Sequence, residues 1–495
     1  MWGTLHRTGN DGNHASKYKS QIATLRQIRT DMRFVTKVWL EQIRAEMRIL
    51  TTAWLTPTMS ALLLSVNYAC PYVVASDSTS NQVGTPHGRP VNESPSSKRT
   101  SKTRPYQGID VRSFYEHIHK TPELGKAEFK TAEFLRSKLK DFGYSEFVDE
   151  PTLPTAVIAV LNTGKEGPTI CFRAEMDARK CQEETGLSFA STTPGIMHNC
   201  GHDAHAAILL ETAHKLMMES SSLRGKFVFL FQPAEESAGG ADDIVNDGVL
   251  KKLGVQAIFA QHCASGVEVG KHTLHGGAIM AGSNTFSVKL SGTGGHAAQP
   301  HERDDLAGLS SLITLELERI PARCFDVVQY PTVCNVSTSK WSSEQVNVAP
   351  DTITLGGTVR AFYGIDDKLF RGKSFRELFE QLVNGLSNAY GVKPEISLKP
   401  GSPVTVNDPK LCDRVLKLLS SDKISVEDAE RSMFAEDFAF YTAQIPSAYF
   451  GLGIARGAVG KDNVHSAHFN IDEDCLDSGV DLFMSIAENS SRLGL

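Results

Sequence analysis

A chain of 495 residues, 41% hydrophobic and 22% charged, with 40 Gly and 21 Pro, has the composition of a globular protein; collagen-like, coiled-coil and wholly disordered classes are excluded. Residues 1–105 hold 14 Lys/Arg against 6 Asp/Glu, whereas the remainder holds 37 against 51, and so acidic a body lacks the clustered cations that displace counterions from phosphates: no nucleic-acid partner is expected. Nine cysteines, odd in number and scattered, with no C-x-x-C pair, do not make a disulfide framework.

Residues 1–105 read as leader and linker. No charge occurs between Arg48 and Asp77, and residues 61–64 centre an apolar stretch interrupted by Pro57, Asn67 and Pro71. That run is too broken for a spanning helix, which needs about 20 strongly apolar residues. Translation from Met47 would put Arg48 in a basic n-region and Val73 and Ala75 at a small-residue cleavage site, which predicts a secretory route for a signal-like 47–75 segment. The alternative is a disordered extension or a spurious upstream exon, which predicts a cytoplasmic or organellar protein. Membrane contact is expected only through this leader, if it is retained. Residues 76–105, rich in Ser, Thr, Pro and Lys, are a linker.

The folded part begins near Tyr106. Asp110 caps a helix running to about Lys120, and Leu135, Leu139 and Phe142 share a face of a second that stops at Gly143. Short β-rich runs follow at 156–161, 169–172, 226–231 and 257–260, with a helix over 204–218, and buried strands alternating with helices imply an α/β sheet. After Ala281 the pattern changes. Phe286, Val288 and Leu290 alternate; Leu306, Leu309, Ile313, Leu317 and Ile320 keep helical spacing; Ile353, Leu355 and Val359 alternate again; Phe375, Phe379, Leu382 and Leu386 form another helical stripe. This order, strand, helix, strand, helix, predicts a small α+β domain. From Gly401 the α/β style returns, with a strand at 448–452. The predicted architecture is a catalytic α/β domain over 106–280 and 401–495, a mixed sheet flanked by helices, interrupted by an α+β lid over 281–400.

Polar clusters directly follow the apolar runs, and open α/β sheets bind ligands at the carboxyl ends of their strands. The 169–172 run delivers Arg173, Glu175 and Asp177; the 226–231 run delivers Gln232, Pro233, Glu235 and Glu236; the 257–260 run delivers His262. Between them His198-Asn199-Cys200-Gly201-His202-Asp203-Ala204-His205 opens a helix. Histidines, a thiol and carboxylates together suit a borderline-soft transition metal. Two divalent ions about 3.5 to 4 Å apart could polarise an amide carbonyl and acidify a shared water. Singly, each cluster has an ordinary reading: Cys200 as a buried thiol, His262 as a satisfied core histidine, Glu235-Glu236 as a solvated acidic turn. Their joint occurrence disfavours those readings.

Residues 111–490 resemble the aminoacylase-like metallo-amidohydrolases and metallopeptidases, in the branch of hippurate hydrolases, auxin-conjugate (IAA-amino acid) hydrolases and N-acyl amino-acid deacetylases. The matching stretches are HKTPELG from His119, RAEMD from Arg173, QEETG from Gln182, HNCGHDAH from His198, FQPAEE from Phe231, GTGGHAAQPH from Gly292, GTVR from Gly357, EDF from Glu436, and His465-Ser466. The resemblance implies metal ligands Cys200, His202, Glu236, His262 and His465 for two divalent ions, manganese or zinc, with cobalt or nickel as further options. It implies Glu235 as the general base that takes a proton from an ion-activated water. Two adjacent glutamates on an extended segment cannot both face one ion, which agrees with that division. Asp177 and Asp203 are expected to orient imidazoles from behind. His296 is expected to close over the substrate, and Asn347 and Arg360 to bind its carboxylate, although a structural salt bridge is an equal reading for Arg360. Two departures from the family stand out: Glu175 replaces its usual Asp, and Arg179-Lys180 replace its Leu-Pro. Ser237 and Ala238 also weaken its glycine-rich run.

The reading is a metal-dependent amidohydrolase of N-acyl amino acids, with a small-molecule acyl amino acid or peptide-like substrate and a homodimer through the lid as a further expectation. A dipeptidase or carboxypeptidase is the alternative within enzymes. A metal-binding scaffold without activity is the alternative outside them, and it would be signalled by loss of one of the six positions, all of which are intact.

Overall fold

The computed structural model describes residues 110–495, except 151, 237 and 238; the leader and linker expected over 1–105 lie outside the described residues, as do Ser237 and Ala238. Asp110 caps the Val111–Lys120 helix as expected, accepting from the Arg112 N–H. Apolar runs then lay down an eight-stranded mixed sheet in the order Glu146–Val148, Val157–Asn162, Lys226–Gln232, Thr169–Glu175, Ala257–Glu268, Ser447–Ala455, Lys271–Thr273, Ser425–Glu427. The four central strands are parallel to one another. They are buried on both faces, which is why the Lys226–Gln232 strand reads as an unbroken apolar run from Phe227 to Phe231 and not as an alternation. The His202–Met218 and Asp474–Glu488 helices pack on one face, against a core that includes Phe172, Phe229, Phe259, Leu209 and Phe483.

Between Gly282 and Pro400 the chain builds a separate four-stranded antiparallel sheet, ordered Thr332–Trp341, Thr352–Ala361, Gly282–Ser291, Lys393–Pro400. Here only one face is buried, and Gly282–Ser291 alternates accordingly. The Leu306–Cys324 and Phe375–Ala389 helices cover that face around Val288, Leu309, Ile313, Leu317 and Phe379, each fully buried. A capping box starts the second helix: Ser374 Oγ accepts from the Glu377 N–H, and the Glu377 carboxylate accepts from the Ser374 N–H.

Two differences from the expected elements are physical. The four-stranded lid sheet has two strands beyond the expected pair, Thr332–Trp341 and Lys393–Pro400, both on sheet edges, where a strand needs neither continuous apolar residues nor every N–H and so tolerates Pro394 and Pro400. The strand expected at 257–260 continues to Glu268. Its polar stretch is paired with Ser447–Ala455 through Ala264, so His262 sits inside a strand, not after its end. Among the described residues no helix is long and apolar enough to cross a membrane, and the cysteines are free thiols.

Candidate metal centre

Local backbone geometry aims the functional side chains. After the Lys226–Gln232 strand, Ala234 adopts a positive φ of 59°, a left-handed step that costs an L-residue about 1 kcal/mol or more. Its N–H is held by the buried Glu128 Oε1 at 2.9 Å, and the step re-aims the chain at Glu235 and Glu236. Between Cys200 and His202 lies Gly201, with φ 85° and no room for a side chain: a Cβ there would stand 2.6 Å from the Cys263 Sγ. His465, also left-handed at φ 74°, is tied by its N–H to the carbonyl of Asn199. One backbone hydrogen bond thus brings Cys200 and His465, 265 positions apart in sequence, to the same spot.

Cys200 lies at the centre, its Sγ 3.4 Å from Nε2 of His262 and 3.4 Å from Nε2 of His465. It belongs to two groups whose donor atoms all lie within 4.8 Å of one another, Cys200–His202–His262 and Cys200–Glu236–His465; His202, Glu235 and Glu236 form a third. The structure therefore brings together Cys200, His202, Glu235, Glu236, His262 and His465. His202 supplies the test of fit to a metal ion. Its Nδ1 is held by Asp177, through the backbone carbonyl at 2.9 Å and Oδ1 at 3.2 Å, while its Nε2 is buried with no hydrogen-bond partner. A buried donor atom held from behind and unsatisfied in front is what a cation requires. Asp177 does more: its Oδ2 accepts the Glu236 N–H at 3.0 Å.

The electrostatics agree. Burial pushes the Cys200 thiol up to about 12 and the His262 imidazole down to about 4; the first can ionise at neutral pH only beside a cation, and the second stays a neutral donor. Burial would also raise Glu236, but His465, His202 and Arg179 bring it down to about 2. Glu235 is the opposite: burial, then the carboxylates of Glu436 and Asp437, push its carboxyl well above the ordinary range. Adjacent glutamates are thereby separated into a permanent anion and a group suited to holding a proton.

Several residues the sequence reading gave no role support this arrangement. Arg173 is wholly buried among Gln232, Glu175, Glu436 and Asp437, with Nη2 2.6 Å from Asp437 Oδ1 and 3.0 Å from Glu436 Oε1. In the sequence Arg173 stands out only as a polar residue following an apolar run and in the RAEMD stretch, and its partners Glu436 and Asp437 only in the EDF stretch. His205 sits near the cluster, yet Nδ1 faces Glu175 Oε2 at 2.8 Å and Nε2 accepts the Cys263 N–H at 2.9 Å, so neither nitrogen is free for a metal. Arg179, noted only as a departure, reaches the site itself, donating through Nη1 to Glu236 Oε2 and lying 3.3 Å from His465 Nε2.

The remaining expected residues fall elsewhere. Asp203 pairs with Nδ1 of His119 at 2.6 Å; it orients an imidazole, but one outside the six, because the first turn of the helix points it away from His202's donor atom. A cleft of about 1130 Å³ runs from Cys200, Glu235, Glu236, His262 and His465 to the lid, with His202 buried behind it, and Arg360 lines it. His296 and Asn347 do not. They lie together on an exposed flap of the lid, where the Ala297 N–H donates to the Asn347 carbonyl at 2.8 Å. Among the described residues no carboxylate pairs with Arg360, whose Nε donates to Thr358 Oγ1 at 3.1 Å.

Comparison with known proteins places this architecture. The model of peptidase family M20/M25/M40 matches residues 171–489. The chain is 35% identical to thermostable carboxypeptidase 1 of Saccharolobus solfataricus over 73% of its length and 91% of the relative's. It is 36% identical to N-acetyl-L-cysteine deacetylase of Bacillus subtilis, over 72% and 82%. Among solved structures, the YXEP protein of Bacillus subtilis, described as a dinuclear metal-binding peptidase of the M20 family, superposes with a TM-score of 0.65 at 29% identity, over 77% of this chain and 97% of that one.

Proposed function

Since this chain belongs to the peptidase family M20/M25/M40 and is a metal-dependent hydrolase of amides that takes two divalent ions, we propose that it cleaves N-acyl amino acids to a carboxylate and an amino acid. The observation that carries this reading is Arg360. It is half-buried on the wall of the cleft that is also lined by Cys200, Glu235, Glu236, His262 and His465, and no carboxylate of the described residues answers its charge. A planar guanidinium so placed suits the free carboxylate of an amino-acid substrate. Ile279, Met280, Phe434 and Phe440 line the same cleft and offer an apolar wall to an acyl group.

In this reading Cys200, His202, Glu236, His262 and His465 hold the ions, manganese or zinc first, with Asp177 fixing His202 and the Glu236 backbone. When bound, the ions polarise the scissile carbonyl and acidify a water. Glu235 takes the proton of that water and gives it to the leaving amine. Its two neighbouring carboxylates, Glu436 and Asp437, make the protonated form accessible, and Arg173 keeps those carboxylates in place. A homodimer through the lid is part of the same proposal, supported by the open edge of the Thr332–Trp341 strand with Val333 and Trp341 exposed.

A carboxypeptidase or dipeptidase remains the second reading, favoured by the likeness to a carboxypeptidase; it differs only in the acyl half. Steady-state assays of N-acetyl, N-benzoyl and indole-acyl amino acids against dipeptides and blocked dipeptides, each with added manganese, zinc, cobalt or nickel, decide it. Turnover of the acyl amino acids with kcat/KM at least about tenfold above the dipeptides is the expected result. The reverse order establishes the peptidase, and binding without turnover of any of them the scaffold.

A further inference from the structure

The two groups that share Cys200 are not equivalent, because among the described residues only one of them already faces a cation of the protein's own. Arg179 belongs to a two-residue strand, Arg179–Lys180, paired with Ile196–Met197, and flanking backbone bonds fix it on both sides: the Ala178 N–H donates to Glu123 at 2.8 Å and the Cys181 N–H to Gly195 at 3.0 Å. From this anchored position its guanidinium donates to Glu236 Oε2 and approaches His465 Nε2 at 3.3 Å. Both atoms belong to the Cys200–Glu236–His465 group. The Cys200–His202–His262 group has no such neighbour: Asp177 and the Cys263 carbonyl stand behind its histidines. An arginine cannot shed its charge to make way for an ion, as a histidine can.

We infer that Arg179 is a resident cation that competes with a divalent ion for Glu236 and His465, so that the two ion positions load in order, Cys200–His202–His262 first and Cys200–Glu236–His465 second and more weakly. The inference rests on the metal-site reading above and deepens it. An incoming ion must either stand beside a fixed positive charge or displace a guanidinium whose side chain is 34% exposed and therefore able to swing out. Either route costs affinity at one position only. Even at the dielectric constant of water, a unit charge about 4 Å from a dication shifts affinity more than tenfold. The consequence for the enzyme is a second ion that exchanges at concentrations where the first is retained.

The test is a metal titration, independent of turnover. The full chain, stripped of metal by chelation, is titrated with Co²⁺ by calorimetry while the thiolate-to-cobalt absorption of Cys200 is followed. Wild type should take two ions in two steps separated by at least about tenfold in Kd. Arg179→Met, similar in length but uncharged, should tighten the weaker step at least about tenfold and leave the stronger within about twofold. Arg179→Lys should keep the weaker step weak, and Arg179→Gln replaces the Met variant if near-UV circular dichroism shows that one misfolded. A single two-ion step in wild type, superposable wild-type and Met isotherms, or equal shifts in the Met and Lys variants would overturn the inference while leaving the metal site standing. Absence of Co²⁺ binding to every form would instead overturn the metal-site reading, and this inference with it.

Discussion

The eight-stranded sheet and the lid sheet bury their surfaces by opposite chemistry, although both are parts of one chain with one average composition. Beneath the ends of the parallel strands, Arg173, Glu175, Asp177, His202, Asp203, His205, Glu436 and Asp437 are all less than 5% exposed. Between residues 281 and 400 no charged side chain is buried; the buried polar groups there are Asn284, Ser310, Ser374 and Ser387. Desolvating a charge costs several kcal/mol, which its partners repay only with good geometry, and replacing buried ion pairs by apolar residues often stabilises a protein. The catalytic layer therefore keeps its charges at the expense of stability, and the lid, which carries no chemistry of that kind, does not. Perturbed ionisation concentrates accordingly around Glu235, Glu236, His202 and Cys200.

Four substitutions sharpen or break this comparison. The largest effect is expected for Glu235→Gln, which keeps size and removes the proposed proton carrier: kcat should fall about 10² to 10⁴ fold, equivalent to about 3 to 5 kcal/mol in the barrier. Metal content, measured by elemental analysis, should stay near wild type, and full activity in this variant would move the base to another residue. Next is Arg173→Met. It fills similar space but leaves Glu175, Glu436 and Asp437 buried without their counter-charge, and urea denaturation should show a loss of about 3 to 5 kcal/mol. A loss below about 1 kcal/mol would mean that the catalytic layer does not depend on charge pairing, and the contrast with the lid would collapse.

In the lid the expected costs are those of packing. Leu317 is fully buried against its sheet and neighbouring helix, so Leu317→Ala should cost about 3 kcal/mol through lost transfer energy and a cavity. That loss should not vary between pH 6 and 8, since no titrating group touches the mechanism invoked. Ser374→Ala removes the side-chain half of the capping box and should cost about 1 kcal/mol, read as a small shift in the same denaturation curve. If either lid variant abolished metal binding to the distant cluster, the two layers would be less separate than their cores imply.

Particular residues show how far the sequence reached. The apolar runs at 169–172 and 226–231 are strands because a parallel strand buried on both faces tolerates little else, and the polar residues after them lie at the strand ends for the same reason. The lid's alternation at Phe286, Val288 and Leu290 was legible because only one face is covered. Its edge strands were not, since an edge needs fewer apolar residues and fewer hydrogen bonds. His262 was found as a polar residue after an apolar run but placed past a strand end, whereas pairing with Ser447–Ala455 carries the strand through it.

The sequence alone thus determined the two periodicities, hence the two kinds of sheet, and through its motifs the six side chains of the centre. What only tertiary structure decided is which partners each side chain meets. Glu235 and Glu236 are the same residue type in consecutive positions, and they diverge because one faces Glu436 and Asp437 while the other faces His465 and Arg179. Those neighbours come from segments up to 286 positions apart, as Arg179 and His465 are. Local pattern carries no information about distances of that kind, whereas hydrogen bonding and electrostatic shifts depend on them over a few ångströms.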